Sequence, residues 1–409
     1  MDPVSADQLI LDDQWSDLRR YREPPVIDFE RMYAYRDARM RMEIKKAGAA
    51  MCMLVNPISM RYAANYRNYA LFQAHIPTTY MFVPVEGPIV LYNGYEPDTG
   101  TLDVRKGQPL SFFEGGHLLT DYATRLARDI AAYLVEMGTD CRRVALEYVN
   151  PSLTRALMDL GIETIDGSPL SEGARTIKSD DEIACMRWAI AVAEHGINKV
   201  KQVLKPGVSE LQLWGLLNYA NLANNGDWHD GRMLASGPRI NPWLREASER
   251  RVESGDLVGF DTDMIGPNGY FADISRTIHC GPDKPTRRQK EIYRLAMAEV
   301  EHNMQLVRPG LSFLEIQERA FPVPEEFRQN AYPCIMHAVG LCDEFPQIKP
   351  GFRGANPYDG QFEPGMVICV ESYMGATGET DGVKLEQQVL VTQDGCELLT
   401  TYPFEDSLV

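Results

Sequence analysis

The stretch that decides the fold of this chain reads Phe260-Asp261-Thr262-Asp263-Met264-Ile265-Gly266-Pro267-Asn268-Gly269-Tyr270-Phe271-Ala272-Asp273. Two apolar runs flank the turn signal Gly-Pro-Asn-Gly, so we predict a β-hairpin. A two-residue loop would pair Thr262 with Asp273. A three-residue loop pairs Asp263 with Asp273 and leaves Asp261 on the same face. Proline at the second turn position and a left-handed glycine at the third favour the longer loop.

Three aspartates on one face of a hairpin repel one another unless a positive group lies among them. The alternative is a solvated acidic edge that needs no ligand. Carboxylate clusters of this kind are typical of sites for divalent cations, and we therefore interpret the hairpin as one wall of a metal site.

The C-terminal half adds two glutamates and one histidine to this set. Glu371 ends an apolar run that begins at Gly365, and Glu386 lies in the middle of a second apolar run, 382–391. His337 lies in an apolar segment, where a lone histidine would be a core residue; beside five acids we interpret it as a ligand. Oxygen donors with a single imidazole suit one or two divalent first-row ions such as iron, manganese, cobalt or zinc.

The order Asp, Asp, His, Glu, Glu resembles that of the pita-bread metallopeptidase superfamily, which includes methionine aminopeptidase, proline dipeptidase and creatinase. The phrases that carry the resemblance are Ser236-Gly237-Pro238, Gly365-Met366-Val367 and Gly382-Val383-Lys384-Leu385-Glu386. The resemblance implies an α/β (α+β) fold, with a small N-terminal creatinase-like domain and a C-terminal pita-bread catalytic domain. It places the metal ligands on Asp261 or Asp263, Asp273, His337, Glu371 and Glu386.

A length of 409 residues exceeds the usual size of one domain, so we expect two. We predict an N-terminal arm at 1–27, a domain at 28–170 that alternates helices and strands, and a catalytic domain at 175–409. The glycine-rich segment 167–173 is the predicted linker. Ser179, followed by Glu182 three residues later, predicts a capping box at the start of a helix.

The composition bounds the partners and the compartment. A net charge of −17 argues against nucleic acid and anionic membranes as partners. No apolar run is long enough to cross a bilayer, and the first seven residues lack a basic and apolar signal sequence. Eight cysteines without CxxC pairs are typical of a reducing compartment. We therefore expect a cytoplasmic protein.

Two departures from the peptidase pattern bear on the reaction. Pita-bread peptidases use two further histidines on the scissile peptide, but this chain has Trp243 at the first position and no histidine shortly after His337. Without these imidazoles, peptide hydrolysis loses its acid–base partners. A metal that binds a substrate carboxylate acidifies the adjacent C–H bond, and a nearby carboxylate, Asp343, would take that proton. A good leaving group on the next carbon makes this a β-elimination.

This arrangement is similar to one branch of the superfamily, the DddP-type dimethylsulfoniopropionate lyases. The matching phrases are Asp261-Thr262-Asp263-Met264, Ala272-Asp273-Ile274-Ser275 and His337-x-Val339-Gly340-x-Cys342-Asp343-Glu344. The resemblance implies that both Asp261 and Asp263 join the ligands and that Asp343 is the base. It favours iron as the metal, with manganese, cobalt, nickel and zinc as alternatives. It further implies that dimethyl sulfide and acrylate are the products and that the protein is a homodimer.

Several interpretations stay open at this point. Tyr332 and Trp243 are candidates for holding a cationic substrate by cation–π attraction, with ordinary core packing as the alternative for each. We interpret His229 and Asp230 as part of a solvated turn, with a position at the pocket as the alternative. The alternative functions are a metallohydrolase of the Xaa-Pro-peptidase or creatinase type and a non-catalytic binding module.

Overall fold

The computed structural model describes Leu18 and residues 22–67, 69–95, 102–147 and 150–409. Most of the predicted N-terminal arm lies outside the described residues. The chain divides into two compact units, with the boundary between Arg175 and Thr176. The first unit is Asp28–Arg175, and the second is Thr176–Val409 together with the described residues before Asp28. In the described part of the chain, no helix combines the length and the apolar character that a membrane span needs.

The first unit is built on a six-stranded sheet. Its strands are β1 (Met51–Leu54), β2 (Tyr80–Pro84), β3 (Val90–Tyr92), β4 (Asp103–Arg105), β5 (Arg143–Leu146) and β6 (Glu163–Asp166). They lie in the order β4-β3-β2-β1-β5-β6. The helices are α1 (Phe29–Lys46), α2 (Pro57–Ala64), α3 (Ala70–His75), α4 (Phe112–Gly115), α5 (Leu119–Glu136), α6 (Pro151–Asp159) and α7 (Ser168–Arg175). Strand β1 is parallel to β5 and antiparallel to β2, so the predicted α/β character is confirmed.

The prediction of a linker at 167–173 is wrong, because most of this segment belongs to helix α7. Gly167 precedes the helix, and a Cβ on this residue would lie 2.8 Å from the backbone carbon of Leu146. The glycine is therefore explained by close packing against β5 rather than by flexibility. Pro169 lies in the first turn of the helix, where its missing N–H group costs no hydrogen bond.

The second unit contains three sheets and five α-helices among its described residues. The strands are β7 (Leu234–Ser236), β8 (Leu257–Asp261), β9 (Met264–Ile265), β10 (Phe271–Ala272), β11 (Ser275–His279), β12 (Met336–Val339), β13 (Asp343–Ile348), β14 (Val367–Met374), β15 (Val383–Val391) and β16 (Cys396–Leu398). The helices are α8 (Asp180–Val203), α9 (Glu210–Ala223), α10 (Arg287–Met304), α11 (Phe313–Arg319) and α12 (Glu325–Arg328). The sheets have the orders β11-β8-β7, β10-β9 and β13-β12-β14-β15-β16.

Helix α8 begins as the sequence predicts. Ser179 is the N-cap, its side chain accepts a hydrogen bond from the backbone of Glu182, and the Glu182 side chain accepts from the backbone of Ser179. This capping box satisfies two backbone N–H groups that the first turn of a helix leaves without partners.

Strands β14 and β15 separate a hydrophobic core from a buried polar cluster. Register pairs Ile368 with Val389 and Ser372 with Leu385, and helix α10 packs against this face. Glu371 pairs with Glu386, and directly opposite residues in an antiparallel pair project to the same side of the sheet. Because side chains alternate along a strand, the glutamates lie on the face opposite the core.

Glu299, on helix α10, is buried against strand β14. The hydroxyl of Ser372 donates a hydrogen bond of 2.6 Å to Glu299 Oε2. Burial raises the pKa of Glu299 from its ordinary value of 4.5 to about 8, despite the lowering effect of the hydrogen bond from Ser372, and the charge of Glu371 adds to the rise. The folded state therefore binds the Glu299 proton more tightly than the unfolded chain does.

We predict that Glu299 makes the protein less stable as the pH rises. The contribution of Glu299 to the free energy of unfolding is most favourable below about pH 4.5 and is lost progressively up to about pH 8. In that window the carboxyl group ionises readily in the unfolded chain but not in the folded protein. The Glu299→Gln variant lacks this titration. Between pH 5 and pH 8, wild type should lose on the order of a few kcal/mol of unfolding free energy relative to the variant.

Urea denaturation at a series of pH values measures this difference. The Glu301→Gln variant, altered at an exposed residue of the same helix, should follow the wild-type profile. Parallel pH profiles for wild type and Glu299→Gln would show that the Glu299 carboxyl does not retain its proton in the folded state.

Candidate functional site

The hairpin forms with the three-residue loop that the sequence favours. Strand β9 pairs with β10 so that Ile265 opposes Phe271 and Met264 opposes Ala272, and the same register places Asp263 opposite Asp273. Gly266 N–H donates to the carbonyl of Tyr270 at 2.8 Å, which closes the loop Pro267-Asn268-Gly269. Both Asn268 and Gly269 adopt left-handed backbone angles, with φ of 61° and 79°.

The five-stranded sheet supplies the remaining ligand candidates. His337 lies in β12, and its Nε2 atom is 2.9 Å from Glu371 Oε1, 3.6 Å from Asp273 Oδ2 and 4.0 Å from Glu386 Oε1. The structure therefore brings the hairpin acids and the sheet residues to one place, although His337 is the nearest of the sheet residues in sequence and still follows Asp273 by 64 residues. Hydrogen bonding to Glu371 and the charges of nearby acids raise the pKa of His337 to about 10, although burial acts in the opposite direction.

The geometry of this cluster fits a divalent cation. One set of donor atoms within 4.8 Å of one another comes from Asp261, Asp263 and Asp273; a second comes from Asp273, His337, Cys369 and Glu386. The buried atoms Asp261 Oδ1, Asp273 Oδ1 and Glu386 Oε1 have no hydrogen-bond partner. Buried carboxylate oxygens without partners are costly, and a cation among them removes that cost.

Electrostatics supports the same reading. Burial, followed by the charges of neighbouring acids, raises the pKa of Asp263, Asp273 and Glu386 well above the usual range of a carboxyl group. Further positive charge beside these groups would favour their ionised forms.

Lys384 is a member of the cluster that the sequence reasoning missed. Its ammonium group lies 2.5 Å from Glu371 Oε2, 3.1 Å from Asp261 Oδ2 and 3.4 Å from Glu386 Oε2. Burial lowers the pKa of Lys384, but these three charges outweigh burial and raise it well above the usual range of a lysine. The signal in the sequence was its spacing, since a residue two positions before Glu386 on the same strand faces the same side.

Cys369 was missed for a similar reason. It lies two residues before Glu371 on β14 and opposes His337 across the sheet. Its thiol therefore lies on the face that carries the cluster, and burial raises its pKa well above the usual range.

A cavity of about 210 Å³ opens beside His337, lined by Tyr332, Pro333, Cys334, His337, Asp343, Glu344 and Gln347. Asp343 lies at its rim: the side chain is 68% exposed, and its Oδ1 atom is 3.4 Å from His337 Nδ1. Partial removal from water raises the pKa of Asp343, and the charge of His337 lowers it. The charges of Glu371, Asp261 and Asp230 add to the rise. Asp343 is thus an accessible carboxylate beside the cluster.

The two aromatic candidates lie in different places. Tyr332 lines the cavity, and the Lys384 ammonium group lies 4.4 Å from the centre of its ring. Trp243 is 6% exposed, belongs to the hydrophobic core and stacks on Tyr373 with the ring centres 6.0 Å apart. It is not among the residues that line the cavity. Of the two readings left open for Trp243, the described contacts correspond to core packing.

Comparisons with known proteins give the following similarities. The sequence profile of metallopeptidase family M24 matches residues 184–393. A protein of Roseovarius nubinhibens named dimethylsulfoniopropionate lyase DddP is 33% identical over 394 residues, which cover 93% of this chain and 88% of that protein. The protein of the same name from Roseobacter denitrificans is 33% identical over 397 residues, with the same coverage. The solved structure of an Xaa-Pro dipeptidase from Bacillus anthracis superimposes with a TM-score of 0.72 at 24% identity, over 91% of this chain and 99% of that one.

We predict that His337→Ala weakens metal binding by at least about tenfold, because the variant loses the one imidazole of the cluster. Elemental analysis of purified protein, with calorimetric titration of the stripped protein, measures the affinity. The matched control is His302→Ala, which removes an exposed histidine of helix α10. Equal metal content in the two variants would remove His337 from the proposed ligands.

Proposed function

The chain belongs to metallopeptidase family M24 and groups with the DddP proteins, and from that premise we propose that it is a metal-dependent dimethylsulfoniopropionate lyase. The proposed reaction is a β-elimination that yields dimethyl sulfide and acrylate. The observation that carries the proposal is the accessible Asp343 carboxylate at the rim of the cavity, 3.4 Å from His337. It occupies the region where the peptidase pattern calls for a further histidine.

The proposed metal ligands are Asp261, Asp263, Asp273, His337, Glu371 and Glu386. Five of them supply the two converging sets of donor atoms, and Glu371 lies 2.9 Å from His337. The buried oxygens of Asp261, Asp273 and Glu386 that lack hydrogen-bond partners add further support. When bound, a divalent cation supplies electron withdrawal from the substrate carboxylate, which makes the adjacent C–H bond more acidic. Iron is the metal we propose.

Asp343 acts as the general base. Its carboxylate takes a proton from the carbon next to the substrate carboxylate. The C–H electron pair forms the new carbon–carbon double bond, the carbon–sulfur bond breaks, and its electron pair leaves with dimethyl sulfide. The raised pKa of Asp343 brings its basicity closer to neutrality, which favours proton abstraction.

Two residues of the cavity wall assist this step. His337 Nδ1 faces Asp343, so the imidazole orients the base as well as contributing to the cluster. Tyr332 lies on the cavity wall with its ring against Lys384, and we propose that it limits the space open to the substrate. The dimer and the cytoplasmic location expected from the sequence remain part of this proposal.

We predict that purified protein releases dimethyl sulfide from dimethylsulfoniopropionate and that Asp343→Asn lowers the rate at least about a hundredfold. The reason is that a neutral amide cannot accept the proton, and a positioned base contributes roughly this much. Headspace gas chromatography measures the product, and elemental analysis should find metal content unchanged. Asp140→Asn, an exposed change in the other unit, serves as the control.

An Xaa-Pro dipeptide incubated with the same preparation tests the hydrolase alternative, which the family match and the dipeptidase fold keep in view. Release of proline without dimethyl sulfide would replace the lyase with a peptidase. Full lyase activity in Asp343→Asn would assign the base to another residue.

A further inference from the structure

A fourth aspartate extends the row of hairpin acids. The segment 227–230 runs antiparallel to β9: Ile265 N–H donates to the carbonyl of Trp228 at 2.8 Å, and Asp230 N–H donates to the carbonyl of Asp263 at 2.9 Å. His229 opposes Met264 in the same register. The segment is therefore an extra edge on the hairpin, not the solvated turn that the sequence suggested.

This pairing puts Asp230 directly across from Asp263, which in turn opposes Asp273. The carboxylate of Asp263 lies beside the same segment, because a Cβ on Gly231 would be only 3.9 Å from Asp263 Oδ2. Like charges directly opposite each other in a sheet are destabilising. Positive charge is therefore favourable beside Asp230, at the exposed end of the row, as well as beside Asp273, at the buried end.

Asp230 differs from the buried acids in its exposure and its partners. Asp261 and Asp273 are each 2% exposed, whereas Asp230 is an exposed residue. The indole N–H of Trp228 donates to Asp230 Oδ1 at 2.9 Å and fixes the carboxylate. Within the described ranges no lysine or arginine forms an ion pair with Asp230, and the nearby Arg232 pairs with Glu246 at 2.7 Å.

Asp230 lies beside the proposed metal site, because it pairs across the hairpin edge with Asp263, one of the proposed ligands. A cation bound by the buried ligands would balance the buried acids, whereas Asp230 lies at a solvent-exposed position and, among the described residues, forms no ion pair with a lysine or arginine. A substrate with a carboxylate at one end and a cation at the other matches this distribution of charge.

We propose that Asp230, held by Trp228, binds the cationic end of the substrate and selects onium carboxylates over uncharged analogues. This inference rests on the proposed function and adds a specificity-determining residue to it. An exposed carboxylate near a cation strengthens binding by about tenfold, so this is the expected size of the effect.

The test compares three carboxylates of similar size. They are dimethylsulfoniopropionate, the cationic inhibitor 3-(trimethylammonio)propionate and 4-methylpentanoate, in which an uncharged carbon replaces the sulfonium. In Asp230→Asn, the KM for the substrate and the inhibition constant of the ammonium compound should rise about tenfold. The inhibition constant of 4-methylpentanoate should change by less than about twofold, because this ligand has no positive charge.

Asp230→Glu should recover part of the loss, and Glu301→Gln, an exposed change on helix α10, should leave all three constants unaltered. Added salt should weaken the wild-type preference for the cationic inhibitor and have little effect on Asp230→Asn. Equal changes for the charged and the uncharged ligand, or no change for either, would overturn the proposal. Trp228→Phe, which removes the indole N–H, gives a second test with a smaller loss in the same direction if Asp230→Asn does not fold.

The two proposals fail in different ways. If wild type releases no dimethyl sulfide, the lyase proposal fails. Calorimetric titration of wild type and Asp230→Asn with the ammonium compound and with 4-methylpentanoate then still decides whether Asp230 binds a cation, since it requires no turnover.

Discussion

Repulsion among buried carboxylates is the constraint on which the rest of this structure depends. The acids of the cluster lie within a few ångströms of one another and away from water, and their positive partners there are Lys384 and His337. Two cations cannot balance five carboxylates at Asp261, Asp263, Asp273, Glu371 and Glu386. Such an arrangement is costly unless further positive charge is bound. Three oxygens of the cluster have no hydrogen-bond donor, and they mark where that charge is needed.

The fold holds these repelling groups together by using the two faces of its strands for different purposes. One face of β14 and β15 packs against helix α10 and forms part of the hydrophobic core, while the other carries the polar cluster. Burial of the apolar face stabilises the sheet and so fixes the polar face. The buried pair of Lys178 and Glu344, at 2.8 Å, adds a second anchor, because Glu344 directly follows Asp343 on β13. Asp343 is therefore held in place by its neighbour Glu344, which cannot move without breaking a buried ion pair.

The sequence predicted what depends on local spacing and left open what depends on contacts between distant strands. Turn chemistry gave the hairpin register correctly, and the capping box at Ser179 was confirmed. Lys384 was missed because its side chain reaches Asp261 only through contacts between strands that are distant in sequence. The linker prediction was wrong because glycine and proline mark tight packing and helix starts as well as flexible segments. Trp243 could not be placed, since an aromatic residue in a loop has the same sequence signal whether it enters a core or a pocket.

The carboxylate of Asp343 at the cavity rim, where the resemblance to the peptidases implies a histidine, favours elimination over peptide hydrolysis. Peptide hydrolysis must deliver a proton to the departing amine, and an imidazole can both accept and donate protons near neutral pH. A carboxyl group of ordinary pKa is almost fully ionised near neutral pH, so it can accept a proton but is rarely protonated and able to donate one to an amine. A sulfonium group leaves as a neutral sulfide and needs no proton, so elimination requires only a base. The acidic row that ends at Asp230 points in the same direction, because it attracts a cation, whereas the uncharged amide of a peptide gains nothing from it.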